Sequence, residues 1–484
     1  MKTRTTAWIL VAFCLLAGRA ARCQNLSFDE QAVDPCFPGM ACAVACDLDG
    51  DGDLDIVGGS EATPYNESWG VAWWRNEGGD PPSWTRFPVD TSFDNVMSVA
   101  VADLDGDGRL EIVATSWNDH QIARFAHVGP PGSLWIRRLV LDSFTNAHDA
   151  ECADLDLDGD LDVVGINSTP GGVVVCASDG AATPAWTVQA LAPPMAGGKA
   201  VSLLDLDRDG DTDIVACAMD DHAVAWWENR GGSPPAWVHH PISSEFGGCV
   251  EIDPVDMNSD GLVDLLVADA TDGAVYRLLC EDLAAGLWTR HLVASSLAVA
   301  TNVRGRDFDD DGDIDVAAVA KIPGRLAVYE DLGGTWHPHD LEADFLGGWA
   351  LACADVNGDG DLDILAGASA LGILDLYENT SHLVGAGPAP AAGGLRLAPS
   401  FPNPFNPRTA IGFSLPEAGT AAITVCSPDG AVVRTLLDAR RPAGDHRVVW
   451  DGRDDAGRRV PSGVYLCRLR AGGRAAARKM VLLK

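Results

Sequence analysis

Most of the chain is written in short apolar runs broken by turn residues. The stretch after residue 97 shows the pattern: SVAVAD and EIVATSW are nearly continuous in apolar residues, and IARFAHV and WIRRLVL follow after turns. Such runs, rich in Val, Ile and aromatic residues and bounded by Gly, Pro, Asn or Asp, predict four strands in about 50 residues. The first two lack a polar face, as strands covered on both sides do.

The unit recurs. DLDGDGDLD begins at Asp47, and close variants begin at Asp103, Asp154, Asp205, Asp256, Asp307 and Asp355, at intervals of 56, 51, 51, 51, 51 and 48 residues. A second marker keeps phase: Trp84, Trp135, Trp186, Trp237, Trp288 and Trp336 each lie 19 residues before the next acidic segment. Four strands per repeat is the size of a propeller blade. The pattern therefore predicts an all-β chain whose residues 24–380 form a seven-bladed β-propeller. The seventh repeat ends at ILDLYEN (373–379) without a Trp-bearing fourth strand, while Phe28 stands 19 residues before Asp47. Leu26–Val33 is therefore expected to supply that outer strand and remove a free sheet edge.

Each acidic segment places oxygen side chains at positions 1, 3, 5 and 9 and Gly at position 6. Alternate side chains on a curled loop converge, position 7 adds its backbone carbonyl, and Gly permits the sharp turn. The ligands expected in loop one are Asp47, Asp49, Asp51 and Asp55, with Asp53 at position 7. In loop two they are Asp103, Asp105, Asp107 and Glu111, with Arg109. Loop three offers Asp154, Asp156, Asp158 and Asp162, with Asp160, and loop four Asp205, Asp207, Asp209 and Asp213, with Asp211. Loop five is poorer in charge, with Asp256, Asn258, Asp260 and Asp264 around Leu262. Loop six has Asp307, Asp309, Asp311 and Asp315, with Asp313; loop seven has Asp355, Asn357, Asp359 and Asp363, with Asp361. Carboxylates crowded this closely repel unless a cation joins them, and an all-oxygen set suits Ca²⁺. Up to seven Ca²⁺ are expected.

With period, motif and copy number in hand, DLDGDGDLDIV and its copies resemble the FG-GAP/VCBS repeats of integrin-α-like propellers, over roughly residues 26–380. The resemblance implies Ca²⁺ held mostly for structure, and adhesion or ligand binding more often than catalysis.

Beyond a Gly/Pro/Ala stretch at 381–394 the period stops, and 395–484 alternates strands with Pro and Gly turns, the pattern of a small Ig-like β-sandwich. Pro402–Pro407, Trp450–Arg453 and Lys479–Lys484 resemble the C-terminal sorting domains of bacterial type IX secretion, which share an Ig-like fold with flagellar hook-capping proteins. That resemblance implies export across an outer membrane, with the type IX machinery as a partner. Residues 1–23, with Lys2 and Arg4 before the apolar run Ala7–Ala17, read as a secretory signal, cleaved near Ala20 or Cys23. The run is too short for a membrane span, and no other stretch could cross a bilayer. The expected location is secreted or at the cell surface, as a monomer.

Charge supports this division. The chain carries a formal −36, split into about −48 over 23–394 and +8 over 395–484. So acidic a body excludes nucleic acid as a partner, since phosphate binding needs clustered Lys and Arg. The 13 cysteines form no CxxC pair, which argues against a zinc site. Cys46, Cys152, Cys217 and Cys353 are expected as buried hydrophobes, and Cys36 with Cys42 and Cys426 with Cys467 are candidate disulfides whose pairing stays open.

There is no GxSxG, HExxH or phosphate-binding loop. His240, His291 and His339 sit at equivalent outer-strand places in different repeats, too far apart to share a metal. The leading expectation is a non-catalytic module that binds an extracellular protein or glycan; the alternative is a propeller-based polysaccharide lyase or glycoside hydrolase. Six positions before each loop, at the far end of the innermost strand, stand Ala41, Met97, His148, Lys199, Val250, Thr301 and Trp349. This ring does not repeat, and His148, Lys199 and Trp349 are its candidate ligand-binding residues.

Overall fold

A computed structural model describes residues 26–62, 68–79, 81–129, 134–181, 183–322 and 324–381, and in the tail 396–401, 409–415, 419–427, 432–441, 444–450, 452–455, 458–471 and 474–482. The signal segment, nearly all of the Gly/Pro/Ala stretch, Pro402–Pro407 and Lys484 lie outside the described residues.

Each repeat folds as one antiparallel four-stranded sheet, and the described residues hold seven of them before the tail. Blade two shows the plan: Val96–Ala102, Glu111–Ser116, Gln121–Val128 and Leu134–Leu141, in sheet order. The other blades begin with Met40–Cys46, Ala147–Ala153, Gly198–Leu204, Cys249–Val255, Ala300–Arg306 and Gly348–Ala354. These first strands touch one another in sequence, and the last touches the first, so the sheets close into a ring around a central channel. The all-β propeller expected from the repeat is thus the fold.

The apolar second strands occupy the place their pattern requires. All six residues of each, from Asp55–Ser60 to Asp363–Ala368, are buried. Neighbouring blades pack face to face over them: Val57 and Trp73 of blade one meet Val96, Ile112 and Phe125 of blade two across Phe93. The fourth strands carry the ring's polar exterior, as in Leu134–Leu141, where Arg137, Arg138 and Leu139 are exposed.

The ring closes with its two ends in one sheet. Phe28–Asp34 pairs with Ile373–Asn379, running from Phe28 opposite Asn379 to Asp34 opposite Leu374. Thr380 N donates to Ser27 O at 2.7 Å, and Phe28 sets its edge against Phe308 with centroids 6.1 Å apart.

The tail forms two antiparallel sheets. One orders Arg396–Phe401, Thr409–Leu415 and Gly444–Trp450; the other orders Val432–Arg441, Gly419–Cys426, Gly463–Ala471 and Arg474–Leu482. Their shared core includes Leu397, Phe413, Ile423, Val425, Trp450, Leu469 and Met480. The candidate disulfides do not form, and all four thiols are free. For Cys426 and Cys467 the register gives the reason: Cys467 faces Val425 and Cys426 faces Leu466, so the two side chains leave opposite faces of the sheet.

Candidate functional site

The acidic loops all join the first strand of a blade to the second, so they share one face of the ring. One hydrogen-bond scheme shapes them. The carboxylate at position 1 accepts from the Gly amide at position 6, as in Asp47 from Gly52 at 3.0 Å and Asp307 from Gly312 at 3.0 Å. Position 5 accepts from the amide at position 7, as in Asp158 from Asp160 at 3.0 Å and Asp260 from Leu262 at 2.7 Å. The position-6 glycine has φ between 84° and 100° in every loop, a conformation that L side chains avoid.

Position 9 has a further duty. Asp55 accepts from Leu48 N at 3.2 Å and from Asn76 N at 2.8 Å, tying its loop to the third strand. Asp162, Asp213, Asp264, Asp315 and Asp363 repeat both bonds, and Glu111 repeats the first. Burial pushes these acids up, Asp55 to about 7 and Asp315 and Asp363 to about 8, with loop carboxylates adding to the shift.

The residues fit a bound cation. Ligand atoms converge to within 4.8 Å in Asp47, Asp49 and Asp51, in Asp103, Asp105 and Glu111, in Asp154, Asp156 and Asp158, and in Asp205, Asp207 and Asp213. Asp47 Oδ1, Asp105 Oδ1, Asp156 Oδ1 and Asp309 Oδ2 are shielded from solvent and have no protein donor, a costly state that a cation relieves. Loop two differs. Arg124, 2% exposed, places Nη1 3.4 Å from Asp105 and 4.0 Å from Glu111, so a fixed guanidinium already supplies positive charge there.

At the other end of the first strands, every blade carries a register shift: between Met40 and Cys42, Val96 and Ser98, Ala147 and Asp149, Gly198 and Ala200, Cys249 and Glu251, Ala300 and Asn302, and Gly348 and Ala350. The residue inside each shift is the ring residue read from the sequence: Ala41, Met97, His148, Lys199, Val250, Thr301 and Trp349. A bulge re-aims the side chain it frees from pairing, and all seven line one channel cavity of about 450 Å³. His148, 6% exposed, has no partner for Nε2 and sets its ring on edge against Trp117. Lys199 Nζ lies 5.3 Å from the Trp117 ring centre, and Lys321 Nζ lies 4.3 Å from that of Trp349. Burial holds the His148 imidazole well below its ordinary value, with Lys199 adding to the effect.

Deeper in the channel stands a charged group that the sequence reading missed. Glu251 pairs with Arg304 at 2.9 Å and Asp253 with Arg306 at 3.0 Å. Asp149 and Glu151 accept from the next blade's amides, Val201 N and Leu203 N, both at 3.0 Å. Burial pushes Glu151 up to about 8 and Glu251 to about 7. The available signal was alternation: AHDAECA, CVEIDPV and ATNVRGR carry charged or amide side chains at alternate places, where the other first strands carry apolar residues or Ser. A second cavity, about 580 Å³, lies on the loop face and is lined by Asp47, Asp49, Trp73, Arg109, His127 and Trp135 among others.

Fold and loops together define a β-propeller with an acidic loop on every blade, followed by an Ig-like sandwich. Residues 47–114, 154–216, 205–267 and 307–366, together half of the chain, match the FG-GAP-like repeat, and the chain belongs to that family. Residues 405–473 match the FlgD Ig-like domain. Among solved structures, PorZ is similar, described as an essential bacterial surface component of the type-IX secretion system of Porphyromonas gingivalis. It shares 14% identity at a TM-score of 0.42, over 89% of this chain and 58% of that one. A chain of the mitotic checkpoint complex shares 12% identity at a TM-score of 0.49, over 78% of this chain and 99% of that one. The chain thus spans little more than half the length of PorZ. No curated protein matches.

Proposed function

We propose that this is a secreted or surface-held propeller, stabilised by Ca²⁺ in its acidic loops, that binds an extracellular protein or glycan at the channel mouth opposite those loops. One observation carries the reading. Seven equivalent bulges put seven unlike residues in the lining of one opening, where His148 keeps an unpartnered nitrogen while almost fully buried. Identical blades would present identical groups; a repeated scaffold with an unrepeated mouth presents an asymmetric surface. His148 offers a hydrogen bond, Lys199 a charge and Trp349 an aromatic face.

The test is a glycan and extracellular-protein array probed with and without Ca²⁺, followed by joint replacement of His148, Lys199 and Trp349 by Ala. Affinity for the ligand found is expected to fall at least about tenfold, each lost charged or aromatic anchor costing about 1 kcal/mol or more. Unchanged affinity with unchanged calcium content would move the site, most directly to the groove beside Trp73 and Trp135. Turnover of a bound glycan would favour the lyase or hydrolase alternative.

The C-terminal domain is proposed to direct export through the type IX machinery, on the strength of its sorting-domain wording and its match to an Ig-like domain. Removing residues 395–484 is expected to leave the propeller folded and to retain it inside the cell. A tailless protein recovered outside the cell would leave only an accessory sandwich.

A further inference from the structure

The outer strands of blade six bring together three groups that the sequence reading did not connect. Glu330, on Arg325–Asp331, faces His337, on Trp336–Glu342, in the strand register. His339 follows two places on, so all three side chains share one face of the sheet. Glu330 Oε2 lies 2.7 Å from His339 Nε2, and that nitrogen lies 3.3 Å from His337 Nδ1. One ligand atom from each of the three falls within 4.8 Å of the others. The expectation that His339 shares no metal considered only histidines in other blades, and its partners stand in its own.

We propose that Glu330, His337 and His339 form a site for a d-block divalent cation, Zn²⁺ being the natural occupant, separate in chemistry from the all-oxygen loops. Two imidazoles and a carboxylate suit Zn²⁺ and its neighbours, whereas Ca²⁺ takes oxygen. The spacing agrees. Zn–N bonds of about 2.0–2.1 Å set ligand atoms about 3.3–3.4 Å apart at the edge of a tetrahedron, and the two ring nitrogens stand 3.3 Å apart. The carboxylate, now 2.7 Å from His339 Nε2, has to move out by about 0.6 Å to reach that spacing. The fourth position faces outward, since His337 is exposed while Glu330 is buried.

Blade four supplies an internal control. Glu228 and His240 repeat the pair there, at 2.8 Å, but Val238 stands where blade six has His337. Arg230 also reaches Glu228, at 2.6 Å, and neutralises it. The corresponding place two residues after Glu330 is Leu332, so no guanidinium competes for that carboxylate from this position. Blade six thus has the third ligand and lacks the competing cation. Burial chiefly raises the Asp309 carboxyl of loop six, and the nearby Asp311 and Glu330 charges add to it, so cations held at loop six and at Glu330 would repel each other.

The experiment titrates Co²⁺, as a spectroscopic stand-in for Zn²⁺, into the full-length protein at saturating Ca²⁺. It compares wild type with His337→Ala, an exposed substitution that leaves the blade core alone, and with His240→Ala. Wild type and His240→Ala are expected to bind one equivalent with the strong visible absorption of a four- or five-coordinate nitrogen-containing site. His337→Ala should lose that equivalent or weaken it at least about tenfold, and Zn²⁺ should displace the Co²⁺ signal. Val238→His combined with Arg230→Leu should add a second equivalent in blade four. The proposal fails if wild type binds no Co²⁺ under these conditions, which would leave the three groups as a hydrogen-bonded relay. It fails equally if the bound equivalent survives His337→Ala unchanged.

Discussion

Removal of divalent cations should lower the melting temperature of the propeller by on the order of 10 °C or more. A ligand that binds only the folded state adds about 2.7 kcal/mol per site at a hundredfold excess over Kd, and a few such sites rival the about 5–15 kcal/mol that holds an ordinary domain. The loops are built for this linkage. Asp47, Asp105, Asp156 and Asp309 each keep a carboxylate oxygen out of solvent without a donor, and the position-9 acids lie among like charges. Taking the cation away leaves those charges confined in the folded state but free to separate in the unfolded chain. Calorimetry in excess Ca²⁺ and in a chelator checks it, together with metal analysis of the purified protein. Coincident melting curves with no calcium in the protein would refute the assignment. Asp309→Ala, at a residue 1% exposed, should remove one equivalent and leave the others. Loop two, with Arg124 already beside Asp105 and Glu111, should contribute least.

Deleting residues 24–34 should destabilise the ring although it removes no loop residue, with a fall in melting temperature of at least about 5 °C. The segment covers the edge of the seventh blade, and its loss uncovers a row of backbone groups along Ile373–Asn379. It also takes Leu26 and Phe28 out of their packing with Phe308 and Tyr377, each apolar side chain worth about 1.5–3 kcal/mol of burial. A less obvious cost falls on blade one. Asp34 accepts from Trp74 Nε1 at 2.9 Å and from Arg86 at 2.7 Å, so its removal orphans a buried indole N–H and strands a cation, at about 1–3 kcal/mol for the buried donor. The truncated protein is compared with the full one by thermal melting and by protease sensitivity of the 373–379 strand. Identical behaviour would mean that the pairing of Phe28–Asp34 contributes nothing to closure.

Fold class, repeat and closure are legible in the sequence because all three are written in local periodicity. Apolar runs without a polar face require cover on both sides, and a 51-residue period with Trp and Asp in phase repeats one supersecondary unit. The place of Phe28 in that phase was enough to assign the N-terminal strand to the last blade. The loop geometry was legible for the same reason, since positions 1 to 9 are contiguous. Even the unrepeated ring could be counted off. That its members are bulge residues could not, because a register shift depends on how two strands pair, and pairing is not local. Tertiary structure alone decided the rest. It placed Asp149, Glu151, Glu251 and Arg304, up to about 150 residues apart in sequence, on one channel wall. It set Arg124 beside loop two, and it kept Cys426 and Cys467 on opposite faces of a sheet. It brought Glu330 against His337 and His339 across a strand pair whose turn length sets the register. Each of these depends on which segments pair and in what register, and only the folded sheets decide that.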